Sequence, residues 1–89
     1  MIEAQVLIKN KLGLHARAAV KFVNLANQFS AHVKIVRDGA EIDGKSILGI
    51  LTLAATQGTT LRLKISGRDA RAALKALQAL IDNRFGESE

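Results

Sequence analysis

Apolar and polar residues alternate from the start of the chain. In residues 2–8 (IEAQVLI), Ile2, Ala4, Val6 and Ile8 fall on one side, which predicts a strand with that side buried. Lys9 to Leu14 is a polar connection containing Gly13. From Ala16 the period changes. Ala19, Val20, Val23 and Ala26 recur at helical spacing, with Phe22, Leu25 and Phe29 widening the stripe, and this predicts a helix of about three turns. Residues 32–37 (HVKIVR) alternate again with Val33 and Ile35 inward, Asp38-Gly39 is a tight-turn signal, and Ala40–Asp43 returns as a hairpin strand. Ser46 is placed to cap a second, short helix running from Ile47 to about Leu53, which Gln57-Gly58 ends. Residues 60–66 (TLRLKIS) alternate with Leu61, Leu63 and Ile65 inward. After Gly67, Asp69 is a cap candidate for a last helix with the stripe Ala70, Ala73, Leu74, Leu77, Leu80 and Ile81. The tail Gly86–Glu89 is expected to fray.

The order is βαββαβα. Strands with one apolar face and helices with one apolar stripe predict an α+β, open-faced two-layer sandwich: a four-stranded, mainly antiparallel sheet with three helices on one face. At 89 residues the chain is expected to form a single domain over 1–89. There is no Cys, which removes disulfides and Cys-based metal sites, and no metal or cofactor is expected. No apolar run approaches the roughly 20 residues needed to span a bilayer. The first residues lack the basic-then-apolar layout of a secretory leader, so the expected place is the cytoplasm.

The formal net charge is +5, which favours acidic partners or phosphate. Its distribution is more informative than its total. No acidic residue lies between Glu3 and Asp38, while Lys9, Lys11, Arg17, Lys21, Lys34 and Arg37 all do. An anion-attracting region is therefore expected in the first half of the chain.

His15 stands there, where the loop becomes the first helix. A helix start has backbone N–H groups without intrahelical partners and the positive end of the dipole, which together bind anions. A neutral imidazole nitrogen is nucleophilic, and a phosphoryl group on it would gain from that position. Arg17, in the first turn, offers a fixed cation for the phosphoryl charge. Spacing alone leaves a second meaning open: a lone His before a helix also serves as an ordinary cap. No second His, Asp or Glu is close in sequence to form a triad or a metal set. His32 is taken as a solvated edge residue without a role.

Gly13-Leu14-His15-Ala16-Arg17-Ala18-Ala19 after a first strand resembles the HPr family, the histidine-containing phosphocarriers of the bacterial phosphotransferase system. Asp43-Gly44-Lys45-Ser46-Ile47-Leu48-Gly49-Ile50-Leu51 resembles the family's second signature, and the likeness extends over nearly the whole chain. The resemblance implies that His15 accepts a phosphoryl group from enzyme I, at the expense of phosphoenolpyruvate, on the ring nitrogen nearer the backbone. The group then passes to an enzyme IIA-type domain, with Arg17 stabilising it. The chain is thus implied to be a carrier and not itself an enzyme. One position departs from the family: Ala18 stands where Pro is usual, which is expected to tune the transfer rate.

In part of the family the serine matching Ser46 is phosphorylated by a dedicated kinase, HPr kinase/phosphorylase, which makes the carrier a partner of a transcription regulator. Its other role is simple N-capping. Ile47, Leu48 and Leu51 fit within one and a half turns, so not all can face the sheet. An outward Leu48 with Leu51 makes an apolar patch, and with Ala16 and Lys21 it is the expected docking surface. Three further readings remain: a nucleic-acid-binding module, disfavoured by the absence of Tyr and Trp; a purely regulatory protein controlled at Ser46; and a nitrogen-type relay carrier that moves no sugar. Transient docking points to a monomer.

Overall fold

The computed structural model describes all residues, Met1–Glu89. Four strands, β1 (Ile2–Leu7), β2 (His32–Arg37), β3 (Ala40–Asp43) and β4 (Thr60–Ser66), form one sheet in the order β1-β4-β2-β3, every neighbouring pair antiparallel. The alternation in the sequence sets the register. Val6 faces Leu61, Ala4 faces Leu63, and Leu63 in turn faces Ile35, so the apolar positions line up across three strands. A one-residue slip would turn all of them into water. The hairpin between β2 and β3 turns at Asp38 and Gly39, both at positive φ (49° and 85°), the requirement of its tightest turn type.

The helices are α1 (Ala16–Ala26), α2 (Ile47–Thr52) and α3 (Ala70–Asp82), followed by a short 3-10 turn over Arg84–Gly86. α3 packs on β1 and β4, α1 packs beside α3, and α2 bridges α1 and β3. Phe22, Val23 and Ala26 from α1, Ile50 from α2, Ala73, Leu77 and Ile81 from α3, and the inward strand residues form one core. The opposite sheet face carries Glu3, Lys34, Glu41, Arg62 and Lys64. There the Glu41 carboxylate bridges the Lys34 and Lys64 ammonium groups at 3.1 and 3.2 Å.

Several sequence expectations change in detail. Val20 is 39% exposed and not part of the buried stripe, because the buried positions of α1 are Ala18, Ala19, Phe22, Val23 and Ala26. Asp69 stands at the N-cap of α3, but its side chain makes no cap bond. Its carboxylate accepts from the backbone N–H groups of Ser30 and Ala31 at 2.9 and 2.8 Å, tying α3 to the start of β2. The C-terminal tail is docked and not frayed: Phe85 lies in the core and the N–H of Lys11 donates to the Glu89 carbonyl at 3.0 Å.

Candidate functional site

The loop between β1 and α1 is laid against residues 55–59. Ile8 N–H donates to Thr59 O, Gly58 N–H to Ile8 O, and Leu14 N–H to Ala55 O, at 2.8–2.9 Å. Gly13 makes the close approach possible. Its φ is +66°, and a Cβ there would fall 2.4 Å from the Ala55 carbonyl oxygen. Asn10 is wholly buried, and its amide donates to the Gly13 carbonyl at 2.7 Å. These bonds fix where the chain enters α1, and so fix His15.

His15 is the N-cap of α1, with extended backbone (φ −75°, ψ 178°). Its Nδ1 accepts the N–H of Arg17 at 3.3 Å. The first intrahelical bond runs from Ala19 N–H to the His15 carbonyl, so the N–H groups of Ala16, Arg17 and Ala18 point out of the helix start with no backbone acceptor. No acidic residue occupies the first turn. Arg17 is exposed and takes part in none of the ion pairs. With Lys11, Leu12 and Glu87 it lines a shallow depression of about 270 Å³. Ala16 is exposed, whereas Ala18 is fully buried, so its methyl belongs to the core although its N–H belongs to the site.

On the other side of the ring stands a group that no sequence motif marks. His15 Nε2 pairs with Glu87 Oε2, a contact between residues 72 positions apart. The other Glu87 oxygen accepts from the Asn10 amide at 3.0 Å. Burial pushes the Glu87 carboxyl up. The hydrogen bonds from His15 and Asn10, and the charges of His15 and Lys21, outweigh that and hold it below the ordinary 4.5. No Asp or Glu lies close to His15 in the sequence, so this carboxylate was not among the candidates. Sequence proximity cannot reveal a partner delivered by the far terminus. The available signal was Phe85, an isolated aromatic just beyond the last helix, which anchors the tail in the core. Lys21, expected on the docking surface, is exposed, but its ammonium donates to the Phe85 carbonyl at 2.6 Å and holds that anchor.

Ser46 is the N-cap of α2. Its Oγ accepts the Gly49 N–H at 3.0 Å, and the residue is half-buried. Leu48 is 77% exposed, with Ile47 and Leu51 also outward, while Ile50 is buried. Ile47, Leu48 and Leu51 thus make an apolar surface on α2, the helix that packs against α1 with its exposed Val20 and Arg17. Phe22 and Phe85 are in the core, out of reach of a nucleic-acid base. No three His, Cys, Asp or Glu side chains converge as a metal site would require.

Comparison with known proteins agrees with this geometry. The family described as the PTS HPr component phosphorylation site matches residues 2–83. The phosphocarrier protein HPr of Cupriavidus necator is 49% identical over 89 residues, covering 100% of both chains. The phosphocarrier protein NPr of Shewanella violacea is 47% identical over 87 residues, covering 98% of this chain and 96% of its own. The crystal structure of HPr-C-His from Thermoanaerobacter tengcongensis superposes with a TM-score of 0.96 at 43% identity, covering 100% of both chains. Fold, helix-start histidine and full-length similarity together place this chain in the HPr family of phosphocarrier proteins.

Proposed function

We propose that His15 takes its phosphoryl group on Nδ1, from phosphorylated enzyme I, and gives it up to an enzyme IIA-type domain. The carrying observation is that Nδ1 faces the N–H of Arg17 at the start of α1. A phosphoryl group on that nitrogen meets unpaired N–H donors and the positive helix end, and the Arg17 guanidinium is free to swing onto it. The chain supplies the acceptor and its anion cradle. The partner's active site supplies the rest, so the carrier has no turnover of its own. Docking falls to Ala16, Ile47, Leu48 and Leu51, an apolar surface beside basic groups that suits an acidic, partly apolar partner face. The acceptor protein, and not this site, decides between sugar uptake and a nitrogen-type relay. The carrier acts as a cytoplasmic monomer, a state that light scattering checks, since an HPr dimer from Thermoanaerobacter tengcongensis has been crystallised.

Incubation with enzyme I and labelled phosphoenolpyruvate tests the reading. The expected label is stable in base, lost in acid and absent from His15→Ala. Label that resists acid but not base contradicts it.

Regulation at Ser46 belongs to the same proposal. A phosphate on its Oγ sits at the start of α2, where the fold tolerates it, and places negative charge beside the apolar docking surface. Incubation with HPr kinase/phosphorylase and ATP is expected to modify Ser46, and Ser46→Asp to slow phosphoryl uptake from enzyme I without unfolding the chain. A Ser46→Asp variant phosphorylated at the wild-type rate contradicts it.

A further inference from the structure

The C-terminal segment holds one carboxylate in one place. Arg84 and Phe85 both adopt positive φ, 55° and 54°, a conformation that bulky side chains rarely accept. Two such residues in succession persist only where their surroundings over-determine them. The Phe85 ring is buried, its carbonyl accepts from Lys21, and the N–H groups of Gly86 and Glu87 turn back onto Asn83 and Arg84. Beyond Glu87, the Glu89 carbonyl is bonded to Lys11 N–H. Glu87 is thus tied on both sides, with one oxygen on Asn10 and the other on His15. Only 15% of its side chain is exposed, so this is not the loose surface pair that solvent screens away.

We propose that Glu87 is a positioning residue for phosphoryl transfer, holding His15 as the Nε2–H tautomer and stabilising the ring's positive charge while Nδ1 carries the phosphoryl group. The proposal rests on the phosphocarrier reading above. An ionised carboxylate can only accept a hydrogen bond, so the ring nitrogen facing it carries the proton. The other ring nitrogen accepts from Arg17 N–H. The two contacts select the same tautomer, the one whose lone pair points at the helix start.

In the transfer, the Nδ1 lone pair forms the N–P bond. The bond between phosphorus and the donor breaks, and its electron pair stays with the donor. The ring keeps its Nε2 proton and becomes a cation facing Glu87. A buried aspartate stabilises imidazolium in the same way in hydrolytic triads. In the onward step the N–P electron pair returns to Nδ1 and the ring is neutral again, with no net proton movement. Glu87 therefore favours phosphorylated His15 over free His15, and slows loss of the group to water.

Glu87→Gln separates charge from shape, because its amide oxygen still accepts from Nε2–H. Nitrogen-15 NMR of the histidine ring at neutral pH is expected to show the Nε2–H tautomer in wild type and Glu87→Gln, and a tautomer mixture in Glu87→Ala. After phosphorylation by enzyme I, Glu87→Gln is expected to hydrolyse its phosphohistidine about tenfold faster than wild type, the effect of one charged hydrogen bond. Circular dichroism checks that each variant is folded, and Glu87→Asp is expected to recover part of the lifetime. An Nδ1–H tautomer in wild type, or a Glu87→Gln phosphohistidine as long-lived as the wild type's, overturns the proposal alone. A wild-type chain that takes no phosphoryl group overturns the carrier reading, and this proposal with it.

Discussion

His15 is held from both ends of the chain: Gly13 and Arg17 lie within two positions of it, while Asn10 and Glu87 come together beside it only because the C-terminal segment folds back onto the β1–α1 loop. Asn10 looked like any polar loop residue, yet it is fully buried and joins the loop carbonyl of Gly13 to Glu87. Gly13 carries a prediction at this scale. A methyl group there meets the Ala55 carbonyl at 2.4 Å and forces a left-handed backbone on a non-glycine residue. Gly13→Ala is expected to lose at least about 2 kcal/mol of stability in urea unfolding and to displace His15. Wild-type stability in that variant contradicts the account of how the loop is held.

Elements followed the periodicity wherever one face was plainly apolar, as in β4 and α3. The errors arose where length or partner was undetermined. Val20 fits the helical stripe of α1 by spacing, but it is 39% exposed, because the buried face of the helix is taken by Ala18, Ala19, Phe22, Val23 and Ala26. Asp69 has the right residue type and place for a cap, and its carboxylate went instead to two N–H groups across the fold. Ser46 met its expectation, and its replacement separates cap from regulation. Ser46→Ala is expected to cost about 1 kcal/mol of stability by chemical denaturation, from the lost bond to Gly49 N–H, and to leave phosphoryl uptake nearly unchanged. Leu48→Asp is expected to do the reverse. Leu48 is 77% exposed, so stability changes by less than about 0.5 kcal/mol, while the KM for enzyme I rises severalfold. An unchanged KM would remove Leu48 from the docking surface.

At the scale of the whole molecule, the sandwich was legible because four alternating strands and three amphipathic helices admit few arrangements. The order β1-β4-β2-β3 was not legible, since alternation says which side of a strand is buried and not which strand lies beside it. Charge also acts at this scale. Glu41 is held below its ordinary carboxyl range by hydrogen bonds from Lys34 and Lys64. Asp69 is held low by the N–H of Ser30 and then of Ala31, and Glu87 chiefly by His15 and Asn10, against burial. Each of these groups binds its proton more readily in the unfolded chain than in the native one. Their stabilisation is therefore complete above the ordinary carboxyl values of 3.8 to 4.5 and is lost as pH falls through the lower native values. Thermal unfolding followed from pH 7 downward is expected to show Tm falling below about pH 4.5. A flat profile into strong acid would mean that these carboxylates are not paired in solution.

Carrier action requires that His15 Nδ1 hold the transferred group. The direct measurement is to phosphorylate the chain with enzyme I and phosphoenolpyruvate, then locate the phosphorus by peptide mapping at alkaline pH and by phosphorus-nitrogen coupling in ring-labelled protein. One phosphoryl group per chain is expected, on His15 and bonded to Nδ1. A group bonded to Nε2, or found on Ser46 with His15 unmodified, would contradict it.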